Sequence, residues 1–172
     1  MAREFRQELG LAPQEALCPW RLATHLDIPL LRLSQFANNP DISYLCSASG
    51  KKEFSAMVCF DGIAAFVIYN DAHAPTRQAA DISHEIAHIV LRHPPKPPID
   101  QHGSRDYDPA FEAEAHWLGP ALLISEEAAL HIVAQGFSMP LASRLYGASQ
   151  DLISMRINVV GARKRLARRR VA

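Results

Sequence analysis

The segment His-Glu-Ile-Ala-His at residues 84–88 constrains this chain more than any other feature, because two histidines lie four positions apart within a helical pattern. Three apolar residues would hold such a helix against a core: Ile82, Ile86 and Ile89. Thr76 is a plausible N-cap, and the proline-rich segment 94–98 must end the helix, since proline lacks the amide hydrogen and clashes with the preceding turn. The sequence therefore predicts one helix that continues to about Arg92.

Two imidazoles on one helical face can bind one zinc ion, at about 2.0–2.1 Å per nitrogen. His84 and His88 have that spacing, and Glu85, next to the first of them, would reach the edge of the site and take a proton from water there. The same pattern also occurs on helices that bind no metal. From these residues alone, a zinc site and a helix with two unrelated histidines both stay open.

The next helical pattern offers candidates for the third protein ligand that a catalytic zinc site needs. It follows a loop predicted over 94–109 and contains the sequence FEAEAHWLG. Glu112 and His116 lie one turn apart on this helix, whereas Glu114 faces a different side. These residues would equally form the polar face of an amphipathic helix. Two metal-competent clusters on successive helices nevertheless favour a shared site.

The remaining patterns predict an α+β fold. Two apolar runs, at 54–60 and 63–70, are separated by Asp61-Gly62, which is typical of an antiparallel hairpin. Helical patterns dominate after residue 109, and we expect Gly119-Pro120 to kink or divide the first of them. We therefore expect a small antiparallel sheet packed on a mainly helical, zincin-like domain, with the two histidines on its central helix.

The length and composition predict a single cytoplasmic domain over residues 1–162. No apolar stretch approaches the 18 or more residues of a membrane span, and the N-terminus lacks the apolar core of a signal peptide. Three scattered cysteines indicate neither a disulfide framework nor a sulfur-ligated zinc site. The sequence leaves the oligomeric state open.

A basic tail follows at residues 163–172. Six of the 18 lysine and arginine residues lie within 163–170, so the rest of the chain has 12 basic against 18 acidic residues. Such a cluster can bind nucleic acid. Because no aromatic residues are interleaved with it, a solvated helix end is the favoured interpretation.

The spaced motifs resemble those of the ImmA/IrrE metallopeptidases, gluzincin-like proteins of bacteria and their phages and mobile elements. The family pattern has an arginine before His-Glu-x-x-His, then Glu-x-x-Ala with a leucine-rich end, and finally a serine, leucine and arginine element. The matching residues are Arg77, His84, Glu85, His88, Glu112, Ala115, Leu122, Leu123, Ser149, Leu152 and Arg156. The resemblance covers about residues 14–161.

This resemblance implies a zinc-dependent endopeptidase, with Mn²⁺ as a substitute metal. The implied ligands and general base are His84, His88, Glu112 and Glu85. Glu112 is preferred because the first glutamate of the family motif is the fixed one, and Glu114 is the alternative ligand. His116 replaces the family's usual Asn or Asp, so it is expected either to orient a ligand histidine or to approach the metal itself.

The implied substrate is another protein, most often a helix-turn-helix repressor whose cleavage relieves transcriptional repression. Peptide hydrolysis also needs a hydrogen-bond donor for the developing oxyanion. Three residues in or beside the predicted loop are candidates for this donor: His93, His102 and Tyr107. The alternative function is a non-proteolytic, metal-binding regulatory module that binds a transcription factor.

Overall fold

A computed structural model describes residues 1–94 and 108–169 of the chain. The described helices are α1 (Ala2–Glu8), α2 (Pro19–His25), α3 (Pro40–Cys46), α4 (Pro75–Val90), α5 (Pro109–Leu123), α6 (Glu126–Ala134), α7 (Met139–Tyr146), α8 (Gln150–Val160) and α9 (Ala162–Arg169). The described strands are β1 (Leu30–Arg32), β2 (Ala56–Asp61) and β3 (Ala64–Tyr69). Among these residues no single helix is long and apolar enough to cross a membrane. Helices α5 and α6, which are bent by 47° relative to each other, would together meet the length and composition of a membrane span.

The sheet has the strand order β1-β3-β2. Strands β2 and β3 form the predicted antiparallel hairpin, in which Asp61 pairs with Ala64. Gly62, with φ of 61°, opens the two-residue turn in a left-handed conformation that glycine adopts without strain. The α+β prediction is confirmed, but the sheet is mixed and not purely antiparallel. The additional strand β1 pairs in parallel with β3, with Leu30 opposite Val67.

Helix α4, which carries both motif histidines, starts earlier than expected. Its N-cap is Ala74, and Pro75 occupies the first helical turn, so Thr76 is not the N-cap. Proline suits this position because its fixed φ matches the helix and its missing amide hydrogen has no partner there in any case. The helix ends at Val90, close to the predicted end at Arg92.

Two apolar clusters hold α4 in the middle of the fold. The first is formed by the N-terminal helices, the sheet and one face of α4, where Ile82 and Ile86 are fully buried. The second is formed by α6 to α9 together with Ala79 of α4. Helix α5 joins the two clusters, since Leu122 belongs to the first and Leu123 to the second. The face of α4 opposite its isoleucines is thereby left for the histidines.

Helix α5 runs without a break through Gly119 and Pro120, so the expected division of this helix is wrong. The glycine has a packing reason. A Cβ atom at Gly119 would lie 3.0 Å from Cα of His84 and 3.2 Å from the backbone oxygen of Ser83. The absence of a side chain at this position lets α5 cross α4 closely, directly over the first motif histidine.

The C-terminal end of α5 is capped by two buried arginines. The guanidinium of Arg6 donates to the backbone oxygens of Leu122 and Leu123, at 2.9 and 3.0 Å. Nε of Arg156 donates to the backbone oxygen of Ile124 at 3.0 Å. These bonds satisfy carbonyl groups that have no partner within the helix. They connect the end of α5 to α1 and to α8.

The C-terminal basic segment is helical as far as the structure describes it. Ala162, the first residue of α9, is buried in the second cluster. Nη2 of Arg165 lies 2.7 Å from Oε1 of Glu126, so this arginine forms an ion pair with α6. Binding of nucleic acid by this segment stays a prediction.

Candidate metal centre

Three side chains from α4 and α5 converge on one point. The Nε2 atoms of His84 and His88 lie 3.1 Å apart. Oε2 of Glu112 lies 3.2 Å from Nε2 of His84, and its Oε1 lies 3.5 Å from Nε2 of His88. Among the described residues these three form a group able to hold a metal ion, with one ligand atom from each and all within 4.8 Å of one another. They are the ligands predicted from the motif spacing and the family resemblance.

The spacing of these atoms fits a tetrahedral ion. Four ligands at about 2.0–2.1 Å from zinc lie roughly 3.3 Å from one another. The distances of 3.1, 3.2 and 3.5 Å bracket that value. Two imidazole nitrogens and one carboxylate oxygen are also a known ligand set of catalytic zinc. This set suits other divalent transition metals as well, so the geometry is compatible with several ions.

The imidazoles are poised to bind a cation. Burial, and next the neighbouring His88, lower the pKa of His84 to about 4, although Glu112 opposes the shift. Burial likewise lowers the pKa of His88. Both rings are therefore neutral near pH 7, and neutral imidazole is the form that binds metal.

Glu85 follows His84 on α4. Burial, and then the negative charge of Glu85, raise the pKa of the Cys59 thiol on strand β2. Glu85 is half-buried. The centre thus lies between α4 and α5, and the predicted general base is the residue after its first histidine on α4.

The remaining candidates have other surroundings. The exposed ring of His116 lies 4.6 Å from the ring of His84, centroid to centroid. His93 places its Nδ1 2.8 Å from Nδ1 of His88 and its Nε2 3.0 Å from Oε2 of Glu114. None of these three belongs to the converging group, and the two ring nitrogens of His93 contact His88 and Glu114. The predicted loop 94–109 lies outside the described residues apart from its ends, and so do His102 and Tyr107.

Other residues that matched the family pattern hold the helices around the centre in place. Ser149 caps α8, where its hydroxyl accepts from the amide of Leu152 at 3.2 Å. Arg156, one turn further along α8, donates to the end of α5 as described above. On α4, Arg77 donates to the hydroxyl of Ser55 at 2.8 Å, which ties the start of the helix to the sheet. These contacts orient the helices that carry the three converging side chains.

Sequence reasoning missed two residues that shape the centre. The sequence predicts that Gly119-Pro120 kinks or divides the helix, whereas Gly119, seven positions after Glu112 and on the same helical face, permits a close approach of the α4 backbone. Arg6 carried no recognisable signal, because its partners are 116 and 117 residues away.

A comparison with protein-family models matches residues 43–158, more than half of the chain, to the family described as Peptidase_M78, IrrE N-terminal-like domain. The matched span contains β2, β3, α4 and α5, and therefore all of the converging side chains. Comparisons with curated proteins and with solved structures gave no significant match.

Proposed function

Because this chain belongs to the Peptidase_M78 family, we propose that it is a zinc-dependent endopeptidase that hydrolyses a peptide bond in a partner protein. Family membership supports a metallopeptidase-type function. The observation that carries the finer proposal is the convergence of His84, His88 and Glu112, with Glu85 beside them on α4.

The chemistry assigns each side chain one task. A bound zinc ion would supply Lewis acidity, able to polarise a peptide carbonyl and to acidify water. His84 and His88 would hold the ion as neutral ligands, and Glu112 would add a single negative charge. Glu85 accepts a proton from the attacking water and passes it to the leaving amine.

The sheet offers a place for an extended substrate. Among the described strands, β2 has β3 as its one neighbour, so its outer edge presents backbone donors and acceptors. An extended peptide can add to such an edge through main-chain hydrogen bonds. The charge of Glu85 contributes to the raised pKa of Cys59 on β2, so we expect a peptide along this strand to pass near the general base. This arrangement supports cleavage within a chain.

The partner that we propose is a helix-turn-helix transcriptional repressor, whose cleavage would relieve repression in the cytoplasm. This part of the proposal is supported by the family resemblance and not by the geometry of the site. A metal-dependent endopeptidase of this kind would act on a separate protein.

The test is incubation of the purified protein with the repressor encoded beside it, in the presence of zinc or manganese, with cleavage measured by mass spectrometry. We expect cleavage by the unaltered protein, and none by Glu85→Gln, which should retain its metal. Glu8→Gln, which changes an exposed carboxylate on α1, is the matched control and should cleave normally.

Two results would contradict the proposal. If the repressor stays intact under all conditions but binds the protein, the non-proteolytic regulatory module is the correct function. If Glu85→Gln cleaves as fast as the unaltered protein, Glu85 is not the general base.

A further inference from the structure

The C-terminal end of α4 places one more histidine against the metal centre. Arg92 has a left-handed conformation, with φ of 57°. Its amide donates to the backbone oxygen of Ile89, and the amide of His93 donates to that of His88, at 3.0 and 3.1 Å. This pair of bonds is a Schellman motif, which brings the residue after the left-handed one back over the last helical turn. The contact is usually apolar, whereas here it joins two imidazoles.

The ring of His93 is held on three sides. Its Nδ1 lies 2.8 Å from Nδ1 of His88. Its Nε2 lies 3.0 Å from Oε2 of Glu114, on α5. The ring also stacks on Phe111, with centroids 4.7 Å apart and planes 23° apart. Only 7% of the His93 side chain is exposed, so the ring has little freedom to reorient.

Metal binding at Nε2 of His88 would determine where the protons lie on the imidazoles of His88 and His93. When Nε2 of His88 binds a cation, the proton of its neutral ring must lie on Nδ1. That N–H then donates to Nδ1 of His93, which must be an unprotonated acceptor. His93 in turn carries its own proton on Nε2, where the carboxylate of Glu114 accepts it. With hydrogen bonds running from His88 to His93 and from His93 to Glu114, each donor has an acceptor; the reverse order would leave the ionised carboxylate without a donor.

We propose that His93 and Glu114 are positioning residues that hold His88 in the tautomer and orientation required for metal binding. They act through His88 and touch neither substrate nor the proposed ion. The inference rests on the proposed function only in so far as a metal binds at Nε2 of His88. Histidine ligands in metalloproteins commonly donate their second N–H to such a partner, and loss of the partner typically weakens metal binding 10- to 100-fold.

The chain offers a matched control for this pair. His25 and Glu8 form an exposed contact on the N-terminal helices, in which Nε2 and Oε2 are also 3.0 Å apart. Substitutions there remove the same types of side chain without changing the neighbourhood of α4. The Glu114 side chain is 61% exposed, so its replacement should leave the fold intact.

The experiment is a zinc titration of the metal-free protein against a competing chelator, with each variant checked by thermal unfolding. We expect His93→Phe, which keeps the ring stacked on Phe111, to weaken zinc binding 10- to 100-fold. Glu114→Ala should weaken it less, and Glu114→Gln should recover part of that loss because its amide oxygen still accepts. His25→Phe and Glu8→Ala should bind zinc like the unaltered protein.

A second measurement separates positioning from a merely structural role. The ¹⁵N shifts of the imidazoles, measured without metal, should show His93 protonated on Nε2, and His93→Phe should allow His88 to populate both tautomers. If His93 carries its proton on Nδ1, the inference is wrong whether or not zinc binds. It is also wrong if zinc binds the unaltered protein, His93→Phe and Glu114→Ala with equal affinity. If zinc binds none of these proteins, the proposed function fails, and the imidazole shifts alone decide the inference.

Discussion

Replacement of Gly119 by alanine should weaken the metal centre although it adds only one methyl group. The new Cβ would lie 3.0 Å from Cα of His84 and 3.1 Å from its backbone nitrogen. Contacts this short are rare for a Cβ atom, so α5 would have to move away from α4 by a few tenths of an ångström. Backbone atoms cannot give way as the end of a flexible side chain would.

The expected stability change is a difference between two effects. Alanine in a helix interior is favoured over glycine by about 1 kcal/mol. Overpacking of a tight contact costs about 1–3 kcal/mol. The free energy of unfolding should therefore fall by roughly 0–2 kcal/mol. Zinc affinity should fall as well, by up to about tenfold, because Glu112 lies on the same face of α5 and the shift approaches the tolerance of about 0.5 Å for functional side chains.

The assay compares urea unfolding and zinc titration for Gly119→Ala and for Ala113→Gly. Ala113 is an exposed position on α5, so its substitution measures the intrinsic difference between the two residues in this helix. The reasoning would be refuted if Gly119→Ala stabilised the protein by as much as Ala113→Gly destabilised it, with zinc affinity unchanged.

Two further predictions concern stability. Arg6→Met should lower the free energy of unfolding by roughly 2–5 kcal/mol in urea, because the buried carbonyls of Leu122 and Leu123 would each lose a donor; an unchanged midpoint would contradict this. The metal-free protein should lose roughly 2 kcal/mol of stability between pH 7 and pH 5. The pKa of His84 is about 4 when folded and about 6.5 when unfolded, so the unfolded chain binds the proton first as the pH falls. His84→Gln should remove most of this pH dependence, and an equal dependence in that variant would show that other groups cause it.

The helical period was sufficient to predict that His84 and His88 share a face, because that relation is local to one helix. The choice of Glu112 over Glu114 came from the family resemblance, since no local rule says which face of α5 meets α4. In the structure Glu112 approaches both histidines, whereas Glu114 lies beside His93. The deciding feature is the helix crossing, which depends on packing between distant segments.

Other features lay beyond sequence reasoning for similar physical reasons. Strand β1 has three residues and pairs with a strand more than 30 residues later, so its periodicity is too short to detect. The contact between His93 and His88 depends on a left-handed conformation of Arg92, which is uncommon for a residue with a side chain. The N-cap at Ala74 was missed because Thr76 is the better capping side chain, while Pro75 fixes the start of the helix by its backbone.

The most direct test of the metal centre is a crystal structure of the protein grown with zinc, with anomalous scattering measured on both sides of the zinc absorption edge. The account predicts one peak within about 2.0–2.3 Å of Nε2 of His84, Nε2 of His88 and a carboxylate oxygen of Glu112. Zinc bound elsewhere, or a structure in which these three side chains point apart, would contradict it.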